Sequence, residues 1–169
     1  MPQVLVMIDV QRDMLEPPLP VPSARQVGAA IRDVLDRARQ AGAQVVHVRN
    51  NGGADDPDAP DSLGWELVHE VRDGEHLIDK SVPDSFDGTG LDKILPDGAP
   101  LILVGMQSDY CVRATALAAL SRGHQVTLVR DAHATYDDEV PAAQASRRVE
   151  DELRAAGAMV IGSEDVRFD

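Results

Sequence analysis

Aromatic residues are almost missing from this sequence. Two Phe, two Tyr and one Trp make up 3% of its 169 positions. A core without aromatic bulk must be built from Val, Leu, Ile and Ala, and a hydrophobic share of 43% is ample for that. Cysteine occurs once, at position 111, which excludes an intrachain disulfide. No charged-then-apolar leader precedes the first strand, so a cytoplasmic location is expected. No apolar run approaches the roughly 20 residues of a membrane-spanning helix. Basic residues are also scarce, 16 against 29 acidic, for a net charge of −13. Such a chain repels nucleic-acid phosphates and anionic membrane surfaces, so neither is expected as a partner. Internal repeats, low-complexity tracts and domain-sized linkers are absent, which gives a single domain over residues 1–169.

What is present is an alternation of short apolar runs and helical patterns. Gln3–Val10 reads as a buried strand ending at Asp9, and the Pro-rich stretch Glu16–Pro22 as loop. Ser23 can cap a helix whose apolar face is Val27, Ala30, Ile31, Val34, Leu35 and Ala38. Gln44–Val48 is a second strand, 50–62 an acidic turn-rich loop, and 64–71 a short helix around Trp65. His76–Asp79 reads as a third strand and Thr89–Leu95 as a short helix. A fourth strand opens at Leu101, a fifth spans Gln125–Arg130, a long helix follows Pro141, and Ala158–Ile161 is a last strand. Strand–helix alternation of this kind specifies an α/β fold: a three-layer, doubly wound sandwich with a central, mainly parallel sheet of about six strands. The expected Rossmann-like order is 3-2-1-4-5-6. It makes strands 1 and 4 neighbours at the switch point, where a crevice opens at the carboxyl ends. Asp9 and Cys111 then share that crevice.

The stretch Leu101–Ala116 carries the chemistry. Its strand leads through Gly105 into a helical pattern, Val112, Thr115, Ala116, Ala119 and Leu120, with Ser108 or Asp109 available as cap. Cys111 sits where that helix begins, and the positive end of the helix dipole favours a thiolate there. A small buried thiol fits the same position. Asp9 reads either as a hydrogen-bonded strand-end aspartate or as a base for the thiol, and Lys80 either as a solvated lysine or as a cation between them.

These residues resemble a known family. Val6-Met7-Ile8-Asp9-Val10-Gln11-Arg12-Asp13-Met14 is similar to its first-strand motif, and Lys80, Pro83, Ser85-Phe86 and Gly88-Thr89-Gly90-Leu91 to its lysine segment. Gly105–Thr115 resembles its nucleophile segment and Asp131-Ala132-His133 the turn after its fifth strand. The family is the isochorismatase-like cysteine hydrolases, which holds nicotinamidases, carbamoyl-sarcosine and ureide amidohydrolases, and true isochorismatases. The resemblance implies a hydrolase acting on a small molecule, with Asp9 as base, Lys80 as charge stabiliser and Cys111 as nucleophile. It implies an oxyanion hole of backbone N–H groups at Gln107 and Cys111, and a cis peptide at Met106-Gln107. It also implies a homo-oligomer, dimer or larger; the alanines of the Cys111 helix suit either a close-packing face for another subunit or packing on the chain's own sheet.

The nicotinamidases of this family carry an Asp-x-His and a further His after the second strand. Here Asn50–Asp58 contains no histidine, so no catalytic metal and no cofactor are expected. The presence of Cys111 favours a C–N bond (amide, ureide or lactam) over the vinyl ether of a true isochorismatase, with a catalytically idle binding subunit as a third reading. For the substrate-binding wall the candidates are Gln11, Trp65, Phe86, Gln107, Tyr110, His133 and Tyr136, with Arg113 turned to solvent or a subunit contact.

Overall fold

A computed structural model describes residues 1–169. Six strands form one parallel sheet: β1 (Val4–Ile8), β2 (Gln44–Asn50), β3 (His76–Lys80), β4 (Leu101–Met106), β5 (Val126–Ala134) and β6 (Met159–Ile161). Their order is β3-β2-β1-β4-β5-β6, as the alternation requires. The helices are α1 (Arg12–Leu15), α2 (Ala24–Gln40), α3 (Leu91–Ile94), α4 (Arg113–Ser121) and α5 (Ala142–Ala155). A single π-helical turn, Ser108–Val112, joins β4 to α4.

The two faces of β1 sort the core. Val4, Val6 and Ile8 point to a cluster with Leu91, Ala116, Ala119, Val149 and Leu153. Leu5 and Met7 point the other way, to Val27, Ile31, Val34, Leu35 and Ala38 of α2. This is the period-two alternation of a strand meeting the periodic stripe of a helix. Ile31 and Leu35 are wholly buried, each contributing about 2 kcal/mol of apolar burial. Ala116 and Ala119 of α4 pack on the chain's own sheet rather than forming an outer face. No helix is long and apolar enough to cross a membrane.

Gly105 fixes how close β1 and β4 lie at their carboxyl ends. It pairs with Ile8, and a Cβ added there would sit 1.9 Å from the Ile8 carbonyl oxygen. Its φ of +130° is also closed to other residues.

Several local expectations are corrected. β1 stops at Ile8, because Asp9 turns into the left-handed region at φ 52° and leaves the sheet. Residues 64–71 are not helical: Leu67 makes an antiparallel bridge to Gln11, and Val68 N–H donates to the Val10 carbonyl at 3.0 Å. The chain there lies along the segment after β1, a tertiary pairing that overrides local helical preference. β5 runs on to Ala134 past a bulge opposite Leu103–Gly105, so Asp131 and His133 belong to a strand rather than to a turn. Ser23 stands at the N-cap position of α2 but makes no side-chain cap bond, and neither Ser108 nor Asp109 caps the Cys111 helix, because Gln107 occupies the position before the π turn.

Candidate active site

The three sequence candidates converge at the carboxyl ends of β1, β3 and β4. Lys80, the last residue of β3, is buried, and its Nζ donates to Asp9 Oδ2 at 3.1 Å and to Cys111 Sγ at 3.2 Å. Its third donor goes to Asn50 Oδ1 at 2.9 Å. An ammonium has three hydrogens, and all three are placed. Asn50, the last residue of β2 and the register partner of Lys80, was missed by the sequence reading, which took it only as the start of a loop. The available signal was its position, a polar residue at the end of the strand that neighbours the lysine strand. Its Nδ2 donates in turn to Asp58 Oδ2 at 2.7 Å.

Burial sets the protonation of this cluster. It pushes the Asp9 carboxyl up, against the opposing pull of Lys80, and Asp9 Oδ1 is left without a hydrogen-bond partner. The Cys111 thiol is pushed up to about 12, first by burial and then by the Asp9 charge, with Lys80 working against both. Burial thus works against the thiolate that a position at a helix start favours.

A cavity of about 720 Å³ opens above these groups. Asp9, Gln107 and Cys111 reach it from the sheet, while Met14, Pro17-Pro18, Leu19, Leu63 and Tyr136 make apolar walls. The Pro17-Pro18 bond is cis, and so is Met106-Gln107, where the family resemblance puts it. Tyr136 secures one wall, its hydroxyl donating to the Leu19 carbonyl at 2.7 Å. The remaining lining is acidic: Asp13, Glu16, Asp56 and Asp58 join Asp9 against a single Arg12. That guanidinium is already paired with Glu16 and Glu66. Burial, with Asp58 and Asp9 adding to it, pushes Asp13 up to about 7.

Of the expected wall residues, Gln107 and Tyr136 line the cavity and the others do not. Gln11 is wholly buried beside it and clasps the backbone of Asn50 and Trp65. Trp65 turns its indole N–H to Asn51 Oδ1 at 2.7 Å and lies under the Arg49 guanidinium, 3.7 Å from the ring centre. Phe86 is 3% exposed in the core, stacked near His124, because an apolar ring beside α4 gains more from burial than from lining a polar crevice. Tyr110 is 54% exposed on the outer side of the π turn, and Arg113 is paired outward with Glu152. His133 is buried under the turn against Ser108 and Glu150, away from the cavity.

The residues after β2 do not fit a nicotinamidase-type metal site. The loop offers no imidazole, and Asp56 and Asp58 are engaged with the Gly53 N–H and Asn50 Nδ2.

Comparison with known proteins agrees with this architecture. The family model described as the isochorismatase domain matches residues 3–165. A streptothricin hydrolase of Streptomyces noursei is 44% identical over 160 residues, covering 88% of this chain and 64% of that protein. The chain thus spans less than two thirds of that relative's length. The crystal structure of an isochorismatase from Pseudomonas putida superposes with a TM-score of 0.90 at 31% identity, covering 98% of this chain and 90% of that one. The N-carbamoylsarcosine amidase of Thermoplasma acidophilum superposes with a TM-score of 0.83 at 29% identity, over 99% of both chains. With the domain model matched over residues 3–165 of the chain and the expected sheet order beneath it, this chain belongs to the isochorismatase-like hydrolase family.

Proposed function

We propose that the protein is a cysteine hydrolase that cleaves a C–N bond, in an amide, ureide or lactam, of a small molecule entering the cavity. The observation that supports this most is Lys80 Nζ standing 3.1 Å from Asp9 and 3.2 Å from Cys111 at the base of that cavity. In this reading Asp9, its basicity raised by burial, takes the Cys111 proton as Sγ attacks the carbonyl carbon. Lys80 balances the negative charge as it passes from carboxylate to sulfur. Backbone N–H groups at Gln107 and Cys111 receive the oxyanion. Collapse breaks the C–N bond, Asp9 returns the proton to the leaving nitrogen, and a thioester remains. Water, deprotonated by Asp9, then releases the acid and restores the thiol.

The acidic lining supports an uncharged or positively charged substrate over isochorismate, whose carboxylates would meet Glu16, Asp56 and Asp58 with only the already paired Arg12 to offset them. The resemblance to a streptothricin hydrolase makes streptothricin the first compound to test. The experiment is product release from streptothricin, small amides, ureides, lactams and isochorismate, on wild type and Cys111→Ala, with intact-mass analysis for an acyl-enzyme. Amine or ammonia release that disappears in the variant is the expected result. Pyruvate release from isochorismate that survives in Cys111→Ala would overturn the proposal.

A further inference from the structure

Beneath the turn that carries Cys111, away from the cavity, lies a buried chain of polar side chains. Ser108 Oγ is 2.7 Å from His133 Nδ1 and 3.0 Å from Ser146 Oγ, and His133 Nε2 is 3.0 Å from Glu150 Oε1. Ser108, His133 and Glu150 are 0%, 3% and 6% exposed, so water does not complete their bonding. A carboxylate only accepts, which places the hydrogen of the last contact on Nε2; in the neutral imidazole Nδ1 then accepts from the Ser108 hydroxyl. Ser108 in turn accepts from Ser146.

Such a chain is an expensive way to fill space. Apolar side chains of similar volume commonly stabilise as well or better than a buried charged network. Its connections point to another use. Ser108 is the first residue of the π turn. Thr135, two residues beyond His133 and past the end of β5, has its Oγ1 3.0 Å from Gln107 Oε1 and 2.7 Å from Asp109 Oδ1. Side chains of the segment 133–135 therefore reach Ser108 and, through the one hydroxyl hydrogen that Thr135 shares between them, Gln107 and Asp109, and Ser108 is met again by Ser146 of α5.

We propose that Ser108, His133 and Glu150 are positioning residues, which orient the π turn and so place Cys111 Sγ against Lys80 and the Gln107 backbone toward the cavity. This rests on the reading of Cys111 as the nucleophile. His133 serves the reaction without touching the substrate, acting through Ser108, with Glu150 fixing the imidazole's orientation and tautomer. A displacement of the sulfur by a fraction of its reach is enough to matter, because near-attack geometry is sharply distance-dependent.

The test compares wild type with S108A, H133A, H133N and E150Q. It reads kcat and KM on the best substrate of the panel, the rate at which iodoacetamide alkylates Cys111, and the thermal midpoint. S108A and H133A lower kcat by about tenfold or more with KM within about twofold, and change the alkylation rate by a comparable factor. H133N, whose Oδ1 can stand in for Nδ1 as acceptor, recovers most of the loss. A rise in KM at constant kcat in H133A would overturn the proposal in favour of a substrate contact. A lowered midpoint with kcat and alkylation unchanged would overturn it in favour of a core contact alone. Should the alanine variants fail to fold, E150Q keeps the volume and decides by the same readings. Activity that persists in Cys111→Ala overturns the nucleophile reading itself, whereas an inactive Cys111→Ala beside an unaffected S108A overturns only the positioning role.

Discussion

Gln11 and Asn50 clasp each other across the head of the sheet. Gln11 Nε2 donates to the Asn50 carbonyl at 3.0 Å, and the Asn50 N–H donates to Gln11 Oε1 at 2.9 Å. The same Nε2 reaches the Trp65 carbonyl at 3.0 Å, and the Asn50 side chain accepts from Lys80. Gln11 thus fixes the backbone on which the lysine is oriented.

Replacing Gln11 by Ala removes three hydrogen bonds and orphans buried backbone groups. The expected loss is about 3 kcal/mol in urea unfolding, with reduced turnover from a loosened Asn50–Lys80 contact. Gln11→Glu is expected to be worse at neutral pH, since it loses both donors and adds a buried negative charge close to Asp9.

Asp9 and Lys80 pull the Cys111 thiol in opposite directions, and single variants separate them. Asp9→Asn removes a charge that raises the thiol, so its titration, followed by thiolate absorbance, moves down from about 12 while turnover collapses for want of a base. Lys80→Met removes the charge that lowers it, so the same titration moves further up. Both variants moving the thiol in one direction would refute this account of the site's electrostatics.

Asp13 makes folding pH-dependent. Its folded pKa, near 7, stands above its ordinary 3.8, so the folded chain holds a proton that the unfolded chain gives up first. The stability this group contributes is complete below pH ~4, falls as pH rises toward 7, and is absent above that. Asp13→Asn, which cannot ionise, is therefore expected to gain in thermal midpoint relative to wild type between pH 4 and pH 8. The carboxyl is only partly buried, so the gain is a few degrees at most. A constant difference between the two proteins across that range would contradict this.

Gly105→Ala places a methyl 1.9 Å from the Ile8 carbonyl oxygen on a backbone at φ +130°. The clash is with backbone of a paired strand, which cannot rotate aside. The expected outcome is a loss of more than about 3 kcal/mol, read as an insoluble or uncooperatively melting product.

Strand order and the meeting of Asp9 with Cys111 were legible because both depend on where apolar runs end. Lys80 was joined to them by the family resemblance, since on spacing alone a lysine after His76–Asp79 reads as readily as a solvated one. The cavity walls were not legible for a related reason: side-chain type does not say which way a loop runs. Trp65 and Phe86 looked like walls because they are large and apolar, yet one packs under Arg49 and the other in the core. Leu19 and Leu63, on stretches that read only as turn-rich loop, line the cavity instead. His133 carried a real signal, a polar residue in a matched motif. Its partner Glu150, and Ser146, which bonds to the Ser108 hydroxyl, lie on α5, and only the folded chain brings them near.

Lys80 and Cys111 stand on strand β3 and on the turn leaving β4, and Asp9 follows β1, while much of the cavity wall comes from the connecting stretches around 16–19 and 56–64. In the proposed reaction the bond-breaking groups and the walls that choose the substrate therefore sit on separate parts of the chain. Those connecting stretches can be lengthened, shortened or recharged while the strand tips keep the same three side chains in reach of one another.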